Sequence, residues 1–151
     1  MTTGISWGAF AEQESELARF GVARLTAAPA YLATVRRDGR PRVHPVTPVF
    51  TTDALYLFME PTSPKGRDLR ERGSYAIHNG VPDNNGTLGE LFLNGEAFAV
   101  EDAAVRARAA SAAKYDPAGR YILFELTVAE VRCNGYGDVE LPEHQRWTVN
   151  G

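Results

Sequence analysis

Leu55-Tyr56-Leu57-Phe58-Met59-Glu60-Pro61-Thr62-Ser63-Pro64-Lys65-Gly66-Arg67-Asp68 changes character once, and the place where it changes decides the fold. Five consecutive apolar residues read as a strand covered on both faces. Ser63-Pro64 then reads as an N-cap followed by the first helical residue, and the helix runs to about Arg72, where Gly73 ends it. A helix start exposes unpaired N–H groups and the positive end of the macrodipole, so Lys65 and Arg67 in the first turn are each misplaced by roughly 0.3 to 1 kcal/mol. A docked anion reverses that sign. A phosphate there would meet the Ser63 hydroxyl, first-turn amides and two cations. The alternative is an ordinary solvated helix face in which Lys65 pairs with Asp68 and Arg67 with Glu71.

Upstream, Ala9 to Leu25 sets Phe10, Leu17, Phe20, Val22 and Leu25 among charged residues at a spacing that predicts one amphipathic helix, closed by Pro29. From Tyr31 the pattern alternates as a strand to Val35, and Asp38-Gly39 is a tight-hairpin dipeptide. The returning strand, from Arg40 through Val46 to Phe50, carries Pro41, Pro45 and Pro48, so it belongs at an edge or a bulge. With Leu55–Met59 it is expected to complete a three-stranded meander.

Downstream, Tyr75 to Asn79 is a fourth strand and Gly80 to Thr87 the most loop-like stretch, where substrate contacts are expected. A long strand from Glu90 to Val100 has Gly95 as a candidate bulge. Asp102 caps an alanine-rich helix, and a last strand runs from Tyr121 to about Cys133. Six strands with two inserted helices predict a mainly β chain, a small antiparallel barrel that removes its own edges.

Composition narrows the functions. The 151 residues are 44% hydrophobic and 23% charged, which suits one domain, because a chain of this size buries roughly 70% of its unfolded surface. The expected parts are an N-terminal helical segment (1–30), a barrel (31–133) and a tail (134–151). Sixteen basic against nineteen acidic residues give no field for a nucleic-acid track, even with the basic hairpin Arg36 to Arg42. Cys133 is the single cysteine, which excludes an internal disulfide, and His44, His78 and His144 lack metal-site spacing. With no membrane-length apolar run, the cytoplasm is the expected location.

LATVRRDGRPRVHPVTPVF, LYLFMEPTSPKGRDLRERGSYAIHN and GELFLNGEAFAV together resemble the pyridoxamine 5′-phosphate oxidase-like superfamily of flavin-binding split β-barrels, over roughly Tyr31 to Val131. The resemblance implies a six-stranded antiparallel split β-barrel and a cytosolic homodimer with FMN between the subunits. It implies that Ser63 and Lys65, with Gly66 and Arg67 beside them, hold the flavin phosphate. Arg42, His44, Pro45, Val46 and Thr47 would follow the ribityl chain and ring edge, Phe58 and Met59 would flank the cofactor, and Trp147 would approach it from the tail. Glu90 falls where oxidase members often carry glutamine, placing a carboxylate near the ring. The tail Glu143-His144-Gln145-Arg146-Trp147 departs from the oxidase's Arg-x-His element, which argues against vitamin B6 oxidation.

The reading that follows is an oxidoreductase transferring hydride or electrons between FMN and a small organic substrate. Alternatives on the same fold are a deazaflavin-dependent reductase and a non-enzymatic flavin- or haem-binding protein. No residue is assigned as proton donor.

Overall fold

Residues 3–151 are described by a computed structural model. Two short helices, α1 (Trp7–Gln13) and α2 (Ser15–Ala27), lead into β1 (Ala30–Val35), β2 (Pro41–Val46), β3 (Val49–Phe50) and β4 (Leu55–Met59). Then come α3 (Pro64–Glu71), β5 (Ser74–His78), β6 (Glu90–Val100), α4 (Ala103–Ala112), β7 (Ile122–Leu126), β8 (Glu130–Asn134) and β9 (Arg146–Thr148). All strand pairs are antiparallel, in the order β2-β1-β5-β6-β7-β4-β3, with β8 on β6 and β9 on β8. The sheet curls into a split barrel.

The long strand β6 makes the curl possible. Its first half pairs with β8 through Glu90–Asn94 and its second half with β7 through Ala97–Val100. Between them lies Gly95, over which the link Thr127–Ala129 crosses so closely that a Cβ would collide with the Thr127 carbonyl. That corner is fastened by the Tyr75 hydroxyl, which donates to the Thr127 carbonyl at 2.7 Å, and by Ile5, whose backbone pairs with Val128. The expected bulge at Gly95 is therefore a crossover where the strand changes partners.

Strand β4 is buried on both faces, as its unbroken apolar run predicts. Leu55, Leu57 and Met59 enter the main core with Leu32, Ile77, Leu91, Leu93 and Phe124. Tyr56 and Phe58 enter a second cluster under α4 with Val49, Ala109 and Leu123. No helix among the described residues is long and apolar enough to cross a membrane.

Four expectations need correction. The single N-terminal helix is two, broken at Glu14, which leaves helical geometry (φ −135°, ψ 65°) where its carboxylate meets His144 of the tail. The meander is not continuous: Pro48 lacks an N–H, β2 stops at Val46, and β4 pairs with β3 and β7 instead of β2. β2 is consequently an edge, as its prolines require. The last strand is split into β7 and β8 by the crossing over Gly95, and the tail contributes β9, so nine strands stand where six were expected.

Gly95→Ala is expected to destabilise the chain by about 3 kcal/mol or more, because the added carbon meets backbone that cannot yield. Gly119→Ala, where a Cβ meets nothing within 4 Å, is the control and should stay within about 0.5 kcal/mol. Urea midpoints at constant m-value measure both.

Candidate functional site

The start of α3 is built as its sequence predicts. Ser63 is extended (φ −69°, ψ 142°), and its Oγ accepts the Gly66 N–H at 3.2 Å. The same hydroxyl donates to the Glu60 carbonyl at 2.8 Å, so its proton is already committed. Pro64 has no N–H, and the Arg67 amide donates to the Ser63 carbonyl. Lys65 N–H is therefore the first-turn amide left for an anion. The entry to the helix is further fixed by Arg120, which grips Glu60 with two bonds of 2.8 Å.

Neither helical pairing offered by the spacing forms. Among the described residues, the Lys65 and Arg67 side chains make no hydrogen bond or salt bridge, because their potential partners are engaged elsewhere. Asp68, only 4% exposed, accepts from Thr34 Oγ1 at 2.7 Å, Arg42 Nε at 2.8 Å and Arg72 at 3.3 Å. Glu71 is taken by Arg37 and Arg72. The first turn of α3 thus keeps two unpaired cations at the positive end of its dipole.

Strand β2 faces this turn. Thr34 lies opposite Arg42 and Leu32 opposite His44, which puts Arg42, His44 and Val46 on the inward face of the sheet. Arg42 binds Asp68 through Nε, leaving its terminal nitrogens uncommitted. Burial lowers the proton affinity of His44, and Lys65 and Arg42 push it lower still, more than Asp68 restores. His44 is therefore neutral at physiological pH and faces two positive charges. The hairpin and α3 also enclose a cleft of about 380 Å³ lined by Arg36, Arg37, Arg42, Arg67 and Arg72, with Asp38, Asp68 and Glu71 as counter-charges.

Other expected site residues lie apart from this group. Val46 is in the main core, while Pro45 and Thr47 are exposed. Met59 is 2% exposed in the main core, and Phe58 packs in the second cluster beneath the Arg106 guanidinium. Glu90 is on the sheet's outer face, where it accepts from His78 Nε2 at 3.0 Å. His78 Nδ1 accepts the Gly80 N–H, so the His78 proton is on Nε2. Pro45, Tyr31 and His78 form one row across that outer face. Trp147 stacks edge-on to Phe10 and donates to Gln13 Oε1 at 3.1 Å, which holds it against α1. Sequence reasoning missed Thr34, Asp68 and Arg72, whose joint role depends on contacts up to 34 residues apart and carries no local signal.

A family model described as pyridoxamine 5′-phosphate oxidase matches residues 17–134. Among solved structures, the chain is similar to a haem-binding protein from Mycobacterium smegmatis at 25% identity and TM-score 0.67, covering 89% of this chain and 57% of that one. The chain thus spans little more than half of that relative's length. It is also similar to HutZ, the haem storage protein of Vibrio cholerae, at 20% identity and TM-score 0.63, with 82% of this chain and 96% of that one covered. A nimC/nimA family protein from Clostridium acetobutylicum gives 20% identity and TM-score 0.69, with coverage of 89% and 93%. No curated protein matches by sequence.

Burial alone would raise the Asp68 carboxyl, but the Thr34 hydroxyl, Arg42 and Arg72 together hold it below the usual aspartate value. Its contribution to stability is therefore complete above the unfolded value of about 3.9 and is lost as pH falls through the lower folded value. Asp68→Asn should cost about 2 to 4 kcal/mol at pH 7, with the gap to wild type closing toward pH 3. Denaturant melts across pH 3 to 8 test this, and a gap that does not vary with pH would contradict it.

Proposed function

Because the chain belongs to the pyridoxamine 5′-phosphate oxidase family, we propose that it is an FMN-binding oxidoreductase acting on a small organic molecule. The observation that carries this reading is the unpaired charge at the start of α3: Lys65 and Arg67 without partners among the described residues, and Arg42, bound only through Nε, lining one cleft with Arg67. These residues fit a phosphate monoester. Lys65 would hold it through both its amide and its ammonium, while Arg42 and Arg67 would close from either side. Ser63 serves by shaping the helix start, since its proton goes to Glu60.

Bound flavin would supply the hydride or electron chemistry; the chain would supply position and charge. Edge strand β2 offers outward backbone groups with no strand partner, suited to the polar rim of a flat ring. Neutral His44 can donate or accept one hydrogen bond there without adding charge. Phe58 and Met59 would back the site from within the core rather than contact a ring directly. Glu90, tied to His78, would act from the outer face, where Val43 is 62% and Tyr31 48% exposed. That apolar face supports a homodimer with the cofactor at the junction, and Trp147 of the tail would have to act across it. The tail itself is bound to the α1–α2 corner by Glu14, Glu16 and Gln13, which supports a substrate other than a B6 vitamer.

A second reading, haem binding without turnover, is supported by the similarity to the M. smegmatis haem-binding protein and to HutZ. Absorption titrations with FMN, a deazaflavin and haem separate the readings, with FMN expected to bind. Lys65→Ala should weaken FMN tenfold or more, as loss of a charge-assisted contact implies, with an unchanged melting temperature. Because a phosphate offsets the two cations, the NMR-measured pKa of His44 should rise when FMN is added. Binding of haem alone, or FMN affinity indifferent to Lys65, would refute the proposal.

A further inference from the structure

Among the described residues, Leu88 is the non-glycine residue with positive φ, at 72°. A bulky side chain adopts that conformation only when its surroundings impose it. Here Gly86 and Gly89 turn on either side with φ of 65° and 74°, and Arg24 Nε fixes the Leu88 carbonyl at 2.9 Å. The result is a leucine left 58% exposed by its own backbone.

Leu88 borders a groove of about 650 Å³ between the end of α2 and the loop after β5. Ala27, Pro29, Tyr31, Pro45, Val81 and Leu88 give it an apolar wall, and its volume suits a bicyclic organic molecule. Its polar groups are few and mostly committed. The Asn79 amide donates to the Gly89 carbonyl and accepts from Leu91 N–H, and the Thr87 hydroxyl donates to Asp83. Arg24 differs. Its guanidinium stacks 3.6 Å over the Phe20 ring and uses Nε for Leu88, while its terminal nitrogens have no hydrogen-bond partner among the described residues.

We propose that this groove binds a small organic acid with an apolar, ring-sized body along Tyr31, Pro45 and Leu88 and its carboxylate on the free edge of Arg24. A carboxylate is the group that the one uncommitted cation of an otherwise apolar wall selects. Pro45 belongs to this wall and to the strand assigned to the cofactor, and Tyr31 and Pro45 belong to the outer face assigned to the homodimer, so the groove lies beside that junction and calling the acid a substrate rests on the flavin reading; its binding does not.

The test is calorimetric titration of the full chain with 2-naphthoate, with 2-naphthalenemethanol as the uncharged counterpart and FMN in parallel. 2-Naphthoate should bind, and Arg24→Gln should weaken it about tenfold more than it weakens the alcohol, whose own loss reports the Leu88 turn that Arg24 Nε supports. Ala27→Trp, at an exposed helix end, should abolish both without altering thermal melting. Absence of 2-naphthoate binding, survival of binding in Ala27→Trp, or equal loss of acid and alcohol in Arg24→Gln overturns the proposal. So does a wild-type dimer that ignores 2-naphthoate and that Ala27→Trp converts to monomer, since a second copy then fills the groove. FMN binding without 2-naphthoate binding removes the groove alone, and the converse removes the flavin reading alone.

Discussion

A single buried carboxylate, Asp68, holds the hairpin and the helix in one arrangement. Its three donors come from β1, from β2 and from the C-terminal end of its own helix. Burying a charge is costly unless every lone pair is answered, and a pair broken on one side costs more than an intact one contributes. Thr34, Arg42 and Arg72 therefore specify a geometry more than they add net stability. Asp68 also sets the charge of the site: by accepting from distant residues it is unavailable to Lys65, three positions earlier on the helix. The free cations are a consequence of how the fold is fastened.

That fastening rests on a rigid base. Leu69 is sealed in the main core, both faces of β4 are buried, and Arg120 clamps the residue that begins the turn into α3. The other wall of the molecule is different, formed by the loop after β5 with its run of positive-φ residues. The chain thus places a stiff, charged seat on one side of Pro45 and a loop-built apolar surface on the other. Loops of this kind vary more readily than the elements that support them.

Local signals are legible in the sequence because their causes are local. Ser63-Pro64 states a cap and a first turn, three prolines state an edge, and an unbroken apolar run states a strand covered on both sides. Breaks caused by distant partners were invisible. Glu14 leaves its helix where the tail arrives, and Thr127–Ala129 interrupts a strand because Gly95 passes beneath it. The same limit applies to the site. Helical spacing offered Asp68 to Lys65, but the hydroxyl and guanidinium that claim it lie 34 and 26 residues upstream, where no periodicity points. Phe58 and Met59 end β4, where alternation sends them into two separate cores.

The Ser63 cap also decides how the first turn of α3 would meet an anion. Its oxygen satisfies Gly66, its proton satisfies Glu60, and Pro64 has nothing to satisfy, so the helix start is complete without any guest. A seat already formed loses little conformational freedom on occupation. An anion arriving there would meet an amide and two cations already in place, so its capture would be limited by encounter rather than by rearrangement of the turn.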